Sequence, residues 1–530
     1  MSAPGIARKM LFDTATREGA EFTLFDEKNK ELYHCIKRNI VGGPSIIYHR
    51  KAVKGETQIR GGKPCQKVLG YDCNALYLGC IGQDMPVGTM VRRRKEEGFK
   101  PEVRDRNIKM YPWMNYFNKC EGLDIKHARN DGQEKRVGPY PVDGYDGRTN
   151  TIYQFHGCYF HGHQCRLTDM VTDETWLENR EKKLKKTKKT TGYLKSKEYK
   201  VIEMWECEFD DFCKEHPEIH AYALGWELRP KFYQKYRGRV HESQILAGVR
   251  NGLLFGMVEV DIEVPERWEG SFRHELSPYE YFKEMSPLFC NTEVKFEDIG
   301  EHMQAHIKNE KLSEHPRRLL VGGMKAEKIL LATPLLKWYL EHGLKVTCLY
   351  QVVEFNAHAC FKNFVHDVTE ARRAGDLRPE MGIIGDTMKL IGNSGYGSLI
   401  MDKTKHRDII YVRGERQTCL AINQDEFRNA THLGDEFYEL EMAKKKISMD
   451  LPIQLGYFIL QYGKLKILEF NYDFLDKYVD RADYMLLEMD TDSNYLCISG
   501  ETMGDVIKPD MRESYEHHLH GLCSKDARML

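Results

Sequence analysis

The chain has 530 residues and a mass of 61.9 kDa, which is too large for one ordinary hydrophobic core and predicts about three or four domains. Basic and acidic residues number 79 and 80, so the net charge is −1. This balance excludes a uniformly basic nucleic-acid coat, but it is compatible with an enzyme that separates a basic channel from an acidic metal site.

The hydrophobic content of 41% predicts a folded chain. No apolar run approaches the length of a membrane span, and the N-terminal residues carry no apolar signal segment, so we expect no membrane partner. The 15 cysteines indicate reduced thiols, some of them candidate metal ligands, in an intracellular protein.

Hydrophobic periodicity predicts long helices among scattered short strands, which favours an α+β fold over a parallel doubly wound sheet. In chain order the predicted elements are strands at 153–160, 199–209 and 255–264, a helix at 328–343, a strand at 345–355, helices at 358–375 and 452–479, and two strands around 484–499.

The strongest shift in composition is the stretch 181–200, which holds nine lysines and two glutamates. A solvated helical face and a stripe that contacts nucleic-acid phosphates are both compatible with it. A catalytic site beside the stretch would favour the second interpretation.

Near the C-terminal end, two apolar strands meet at the acidic turn Asp490-Thr491-Asp492-Ser493. Two carboxylates one residue apart at the tip of a hairpin can approach one hard cation, as Mg²⁺ with oxygen ligands requires. The same residue types are common in ordinary surface turns, so this segment alone decides nothing.

Two further segments carry compatible chemistry. Asp72 ends a short apolar strand, where it could be a third oxygen donor, and Tyr77 could form a floor beneath a sugar. In 386–402, Lys389, Asn393 and Tyr396 are spaced so that one helical face carries an ammonium, an amide and an aromatic ring. That face suits a triphosphate and a stacked base. An ordinary helix with a Gly-Tyr-Gly exit is the alternative.

In order, the three segments resemble motifs A, B and C of family B DNA polymerases: DxxxLY, KxxxNSxYG and DTDS. The resemblance is greatest to the protein-primed organellar and viral branch, including Polinton/Maverick-type transposons, and residues 40–45 resemble its Gly-Gly element. It covers about 38–106 and 250–530. It implies a palm, built as an antiparallel sheet with helices, and helical fingers.

The resemblance also implies a template-directed DNA polymerase that uses two Mg²⁺ or Mn²⁺ ions. Its partners would be a DNA template-primer, deoxynucleoside triphosphates and a terminal or priming protein. The catalytic metal ligands would be Asp72, Asp490 and Asp492. The nucleotide-binding residues would be Tyr77, Arg372, Lys389, Asn393 and Tyr396.

Residues 138–209 lie between motif A and the rest of the expected palm, and family B polymerases do not need a segment at this position. Cys158, His163 and Cys165 are close in sequence, and Cys207 follows the lysine stretch. A set of three cysteines and one histidine suits a tetrahedral structural Zn²⁺. A hairpin with buried cysteines and incidental histidines is the alternative.

This block resembles very-short-patch-repair endonucleases, of the PD-(D/E)xK nuclease superfamily, in HGCYFHGHQC and WEC. The resemblance implies an inserted α/β nuclease domain whose catalytic residues are Asp143, His156 and His161, with Zn²⁺ on the four residues above. Phe155 and Phe160 depart from the pattern, and Gln154 stands where related inserts often carry Glu. We therefore expect either cleavage or a DNA-binding scaffold.

The predicted organisation is a pre-palm and first palm part at 1–106, the nuclease-like insert at 107–210, a palm continuation at 211–325, fingers at 326–400 and the remaining palm at 401–530. About 40 residues precede the Gly-Gly element and 37 follow Ser493, so the exonuclease and thumb domains are expected to be missing.

Three functions remain open: a polymerase core with a nuclease-like module, a metal-dependent endonuclease with a passenger palm, and a silent or fragmentary transposon-derived nucleic-acid-binding protein. The expected location is the nucleus or a viral or transposon-associated particle.

Overall fold

The computed structural model describes residues 3–25, 29–73, 75–102, 109–127, 134–169, 171, 174–215, 230–447 and 450–523. The chain forms two compact units. The first comprises Met1–Pro101 and Pro230–Leu530, and the second is Glu102–Arg229. The expected insert 107–210 falls within the second unit, while the expected boundaries at 211, 326 and 401 stay predictions.

Helices and sheets are both prominent in the first unit, and the predicted α+β class is confirmed. Its α-helices are Ala3–Arg17, Lys30–Asn39, Leu76–Ile81, Lys231–Lys235, Glu242–Arg250, Pro278–Phe282, Glu301–Asn309, Thr333–Glu341, Lys362–Leu377, Gly382–Leu399, Glu415–Ile422, Ile453–Leu468, Asp476–Tyr478 and Arg512–Cys523. Short 3₁₀ turns are Lys95–Glu97, Phe296–Asp298, Pro379–Met381, Lys403–Lys405, Arg481–Asp483, Met503–Val506 and Pro509–Met511.

Two antiparallel sheets organise this unit. The four-stranded sheet has the order Ser45–Ile47, Tyr484–Asp490, Ser493–Ile498, Lys67–Asp72. The five-stranded sheet has the order Lys325–Ala332, Phe255–Glu263, Lys345–His358, Met85–Arg94, Pro101–Glu102. Smaller sheets pair Leu288–Val294 with Arg317–Gly323, and Phe437–Ala443 with Arg407–Arg413 and Phe427–Gly434.

The helix Ile453–Leu468 forms the centre of the core. Every residue except Lys466 is buried along it, as expected of a helix whose residues are mostly apolar. It packs against the helices Leu76–Ile81 and Lys30–Asn39. The helix Ile453–Leu468 therefore supports the helix Leu76–Ile81, which follows Asp72 in the chain.

The helices Lys362–Leu377 and Gly382–Leu399 pack as a close pair. A Cβ atom on Gly375 would lie 2.6 Å from the backbone of Gly385, so glycine is required for the backbones to approach this closely. This close packing fixes the distance between the helix Lys362–Leu377 and the helix Gly382–Leu399, which carries Lys389.

A buried ion pair joins two strands of the five-stranded sheet. Arg93 and Glu354 are both fully buried, and the guanidinium of Arg93 donates to the Glu354 carboxylate and to the carbonyls of Phe99, Tyr236 and Gly238. Burial raises the pKa of Glu354 to about 7, although Arg93 opposes this shift. The pair thereby fastens the loop at 236–238 to the sheet.

Arg93→Met is expected to lower the free energy of unfolding by about 3–5 kcal/mol, because it leaves a buried carboxylate and three carbonyls without their donor. Chemical denaturation followed by circular dichroism measures this. The neighbouring Arg94→Met is the control: that side chain is 34% exposed and 4.0 Å from Glu31, so a loss of less than about 1 kcal/mol is expected. Equal losses in both variants would contradict the assignment.

The second unit is built around a four-stranded sheet with the order Lys200–Trp205, Thr151–His156, Gly144–Asp146, Ile125–His127. Its first pair is parallel and the others are antiparallel. A hairpin joins Lys135–Val137 to Tyr140–Val142. The helices are Met110–Cys120, Cys158–His161, Glu174–Ser196 and Glu206–Glu215, of which Glu174–Ser196 lies in the crossover that a parallel pair requires.

Several predicted elements were wrong in extent. The expected helix 328–343 begins only at Thr333, because Lys325–Ala332 is a strand and Pro334 suits the first helical turn. The strands expected at 153–160 and 199–209 end at His156 and Trp205 and continue as helices. The helix expected at 452–479 widens into a π-helical segment at Glu469–Leu475.

Within the described ranges, no helix is long and apolar enough to cross a membrane. The described cysteines are free thiols, as predicted.

Candidate functional site

The three predicted carboxylate ligands of the first unit, Asp72, Asp490 and Asp492, lie at one end of the four-stranded sheet. Ser493 is the backbone partner of Asp490 on one side and of Asp72 on the other. Directly opposed residues of antiparallel strands project from the same face, so Asp72 and Asp490 share a face with Ser493 between them. The Ser493 hydroxyl donates to the Asp72 carboxylate at 3.0 Å.

The turn that carries Asp492 is held by the segment before the first strand. Thr491 has a φ of +54°, which is rare for a β-branched residue. Its backbone N–H donates to the Pro44 carbonyl at 2.7 Å, and a Cβ atom on Gly43 would lie 2.5 Å from the Thr491 side chain. The Gly-Gly element therefore fits over the turn because Gly43 has no side chain.

The charges of Asp72 and Asp490 act on Asp492. Burial raises the pKa of Asp492, and the charges of Asp72 and Asp490 raise it further. Burial, with the charges of Asp492 and Asp490, raises the pKa of Tyr77 to about 12. Three clustered carboxylate groups form an oxygen-rich donor set, which fits a hard divalent cation such as Mg²⁺ or Mn²⁺.

Four of the five predicted nucleotide-binding residues lie on two neighbouring helices, and Tyr77 lies on the helix Leu76–Ile81. Lys389 and Asn393 are exposed on Gly382–Leu399, and no hydrogen bond or ion pair joins either side chain to another residue in the part of the chain described. Arg372 is half-buried on Lys362–Leu377. Lys389 and Asn393 are therefore available to a ligand.

The two tyrosines contact each other, an arrangement that the sequence interpretation did not include. The rings of Tyr77 and Tyr396 stack with centroids 4.4 Å apart and planes 11° from parallel. Burial raises the pKa of both phenols, so both are neutral at ordinary pH. The stacked rings link the segment after Asp72 to the helix that carries Lys389.

In the second unit, Cys158, His163, Cys165 and Cys207 form one cluster. Their ligand atoms all lie within 4.8 Å of one another. The Nδ1 atom of His163 is 3.4 Å from the Cys158 sulfur and 3.6 Å from the Cys207 sulfur. These separations fit the edges of a tetrahedron with bonds of about 2.0–2.3 Å, so the donor set fits Zn²⁺.

Local structure positions the four ligands. The helical turn Cys158–His161 follows the strand at Gly157, and Gly162 ends it with a φ of +69° in contact with the Arg180 carbonyl. The ring of Trp205 stacks on His163 with centroids 4.3 Å apart. Cys207 is the second residue of the helix Glu206–Glu215, which follows the strand Lys200–Trp205. Sequence-distant ligands are thereby brought together by adjacent strands.

The three predicted nuclease residues lie in or beside the sheet of the second unit: Asp143 precedes the strand Gly144–Asp146, His156 ends the strand Thr151–His156, and His161 ends the helix Cys158–His161. Asp143 accepts a hydrogen bond from the Phe155 N–H at 2.8 Å, and burial raises its pKa to about 7. The rings of His156 and His161 lie 4.8 Å apart. Burial, aided by His156 and Lys186, lowers the pKa of His161 to about 4. Asp143 is thus connected to the strand that ends in His156.

Sequence reasoning missed Glu203. Its carboxylate is 3.0 Å from the Nε2 atom of His156 and accepts a hydrogen bond from the Thr191 hydroxyl at 2.6 Å. The hydroxyl of Thr187 is 2.9 Å from the Nδ1 atom of His161. The only signal was an acidic residue in an otherwise apolar strand, which does not reveal a partner 47 positions away.

Residues 181–196 of the lysine stretch lie on the helix Glu174–Ser196, Lys200 begins the next strand, and the stretch is mostly exposed. Lys185 pairs with Glu181, and Lys183 lies over the Tyr159 ring. Lys186 is near enough to His161 to affect its pKa. The stretch therefore runs beside the candidate residues, the arrangement that favours a phosphate-contacting stripe.

Asp143→Asn is expected to stabilise the protein at pH 8 by about 1–2 kcal/mol. The folded pKa of Asp143 is raised, so the stability contributed by its protonated form is present below the unfolded pKa and lost as pH rises through about 7. An amide removes this cost and still accepts the Phe155 N–H. The gain, measured by thermal unfolding, should disappear towards pH 4.

Asp146→Asn is the matched control on the adjacent strand. Burial alone would raise the pKa of Asp146, but the backbone N–H groups of Arg148 and Asp124 outweigh burial and hold the pKa below its usual range. Its ionised form is therefore stabilising, and the substitution is expected to destabilise by about 1–3 kcal/mol. Stabilisation by both substitutions would contradict this distinction.

Comparison with known proteins yields one sequence relative and several structural likenesses. No protein family profile matches the chain. The type II nicking enzyme V.NmeAIP of Neisseria meningitidis serogroup A / serotype 4A is 33% identical over 120 residues, which are 22% of this chain and 75% of that enzyme.

Two structures of Phi29 DNA polymerase align weakly. The complex with primer-template DNA has a TM-score of 0.35 at 11% identity and covers 94% of this chain and 47% of that one. The orthorhombic crystal form has a TM-score of 0.35 at 12% identity and covers 96% and 50%. The chain spans about half the length of these polymerase chains, and scores this low do not assign a fold.

Proposed function

The chain belongs to the family of the type II nicking enzymes over a 120-residue segment, and from this premise we propose that it is a DNA-processing enzyme. The first unit would be a template-directed DNA polymerase core, and the second a nicking-endonuclease-like module that binds DNA. The Polinton-like branch and a protein primer stay predictions of the sequence resemblance.

One observation carries the polymerase proposal: Asp72 and Asp490 flank Ser493 on one face of the sheet, with Asp492 on the intervening turn. More than 400 residues separate Asp72 from the other two, yet the antiparallel register brings them to the same edge. The order of the three motifs along the chain predicts this convergence. It is the arrangement that a nucleotidyl-transfer site needs.

Asp72, Asp490 and Asp492 would hold two Mg²⁺ or Mn²⁺ ions. When bound, such ions lower the pKa of an attacking hydroxyl and neutralise the charge of a leaving pyrophosphate. The exposed ammonium of Lys389 would bind the triphosphate, with Arg372 beside it on the neighbouring helix. Phosphoryl transfer asks the protein mainly for such positioning and charge neutralisation.

The stacked Tyr77 and Tyr396 rings would contribute to the nucleotide floor. Tyr77 lies five residues after Asp72, in the helix Leu76–Ile81, which suits contact with the sugar of the incoming nucleotide. The choice of base would come from pairing with the template. Tyr77 would thereby favour deoxynucleotides over ribonucleotides, with no preference among the four bases.

A nuclease activity of the second unit is the second candidate. The neighbouring rings of His156 and His161 favour it, and Asp143 is bonded to the strand that ends in His156. Asp143 would act in catalysis, while Glu203 would orient His156 through their 3.0 Å contact. Zn²⁺ on the four cysteine and histidine ligands would be structural. The exposed lysines of Glu174–Ser196 would contact DNA phosphates.

Two assays on the full chain test these proposals separately. Primer extension with Mg²⁺ or Mn²⁺ should yield products whose sequence follows the template, and no extension under either ion would reject the polymerase proposal. Conversion of supercoiled plasmid to open circles should require Asp143 and His156. A chain that extends primers without nicking would retain the second unit as a DNA-binding scaffold, and a chain that does neither would be the silent alternative.

A further inference from the structure

A cavity of about 570 Å³ lies in the first unit, and none of the candidate catalytic residues lines it. It is formed by the helices Lys30–Asn39 and Ile453–Leu468 and the strands Leu288–Val294 and Lys325–Ala332. This volume falls within the range of small-molecule sites in proteins. The cavity is therefore large enough for a ligand of its own.

Lys464 lines this cavity from the most buried helix of the core. The residue is only 5% exposed, and in the described ranges no hydrogen bond or ion pair engages its ammonium group. Burial lowers the pKa of Lys464 to about 8, and the nearby Cys290 thiol opposes the shift. A buried charge without a partner is costly, and an anion in the cavity would remove that cost.

The remaining charges of the lining favour an anion as well. Its two acidic side chains are already engaged: Glu259 accepts from the Gln351 amide at 2.8 Å, and Glu327 pairs with Lys325 at 3.2 Å. Besides Lys464, the basic side chains of the lining are Arg38, Arg318, Lys325 and Lys328, of which Lys325 is the partner of Glu327 and Arg318 lies 4.0 Å from Glu293. Basic groups thus outnumber acidic ones, and the surplus suits a ligand with more than one negative charge.

The apolar part of the lining limits the class of ligand further. Phe289, Leu335 and Tyr339 contribute apolar surface to the same cavity, which suits the organic portion of a larger ligand. The Tyr339 hydroxyl already donates to the Pro287 carbonyl at 2.9 Å. Charge recognition is therefore expected to come from the basic groups.

We propose that this cavity binds a small phosphate-bearing anion, up to the size of a nucleotide, and that the ammonium group of Lys464 contacts the phosphate. The site is separate from the carboxylate cluster and does not depend on the polymerase proposal. Free polyphosphate and a nucleotide share this chemistry, and the titrations below distinguish them.

The test is calorimetric titration of the full chain with inorganic pyrophosphate and with dAMP, at pH 7 in EDTA so that no metal bridges ligand to carboxylates. Lys464→Met keeps the length of the side chain and removes its charge. We expect it to weaken binding of whichever probe binds by at least about tenfold, the loss of one charged contact. Tighter binding of dAMP than of pyrophosphate identifies a nucleotide site.

Lys466→Met is the matched control, because Lys466 is exposed on the same helix and pairs with Glu469 at 2.6 Å. Lys466→Met should bind like the wild type. Absence of binding by the wild type, or affinity unchanged in Lys464→Met, would overturn the proposal.

A second measurement needs no variant. Pyridoxal 5′-phosphate carries a phosphate and an aldehyde, and with borohydride it marks lysine amines beside a phosphate site. We expect peptide mapping to find Lys464 labelled at low reagent concentration, with protection by pyrophosphate. Labelling of exposed lysines alone, with none at Lys464, would overturn the proposal even if Lys464→Met fails to fold.

Discussion

Asp492→Asn is expected to reduce primer extension by about 10³-fold or more while leaving DNA binding largely intact. The substitution removes one negative charge from the cluster of Asp72, Asp490 and Asp492 and changes the shape of the turn very little. If the cluster binds the catalytic ions, that charge is needed in the transition state and not for holding DNA. Steady-state extension and a separate DNA-binding titration measure the two effects.

Asp510→Asn provides the control for this substitution. Asp510 is exposed, and its carboxylate has no hydrogen bond or ion pair among the residues that the structure describes. Extension by Asp510→Asn should match the wild type. A loss of DNA binding in Asp492→Asn as large as its loss of extension would show that the cluster serves structure and not chemistry.

Cys207→Ala is expected to abolish Zn²⁺ binding and to unfold the second unit while the first unit stays folded. Purified wild-type chain should carry one Zn²⁺ ion, because the four ligand atoms already lie within 4.8 Å of one another. Binding free energies of about 10–16 kcal/mol are typical of structural zinc in small domains, so losing the ion should remove most of the stability of the unit. Metal analysis and hydrogen exchange measure the two outcomes.

Cys213→Ala is the matched control, since this thiol is buried on the same helix as Cys207 but lies outside the cluster. It should keep its zinc and lose only about 1 kcal/mol of stability. Zinc content unchanged in Cys207→Ala would refute the assignment. Unfolding of both units together in Cys207→Ala would contradict their independence.

Local patterns predicted the parts of the fold that depend on neighbours in sequence. The acidic turn at 490–493, the strands on either side of it and the helix around Lys389 lie where hydrophobic periodicity and turn chemistry place them. The α+β class followed from the same alternation. Cys158, His163 and Cys165 could be grouped because they lie within eight residues.

The remaining features depend on tertiary contacts that no local pattern encodes. The apolar run at 329–332 extends without a break into the helix at Thr333, so only pairing with Phe255–Glu263 shows it to be a strand. Glu203 and His156 meet because Lys200–Trp205 pairs in parallel with Thr151–His156. The stacking of Tyr77 on Tyr396 likewise depends on how two distant helices pack.

The Gly-Gly element and its strand have a consequence for biosynthesis. Ser45–Ile47 and Lys67–Asp72 find their partners only in Tyr484–Asp490 and Ser493–Ile498, more than 400 residues later. The second unit, complete at Arg229, can fold on the ribosome long before that, because domains generally fold as units as they emerge. The carboxylate site is therefore assembled late. Until then Ile47 and Val68, which stay exposed even in the folded protein, belong to unpaired strands, and a nascent chain paused near residue 480 offers two open edges for misplaced pairing or for a chaperone.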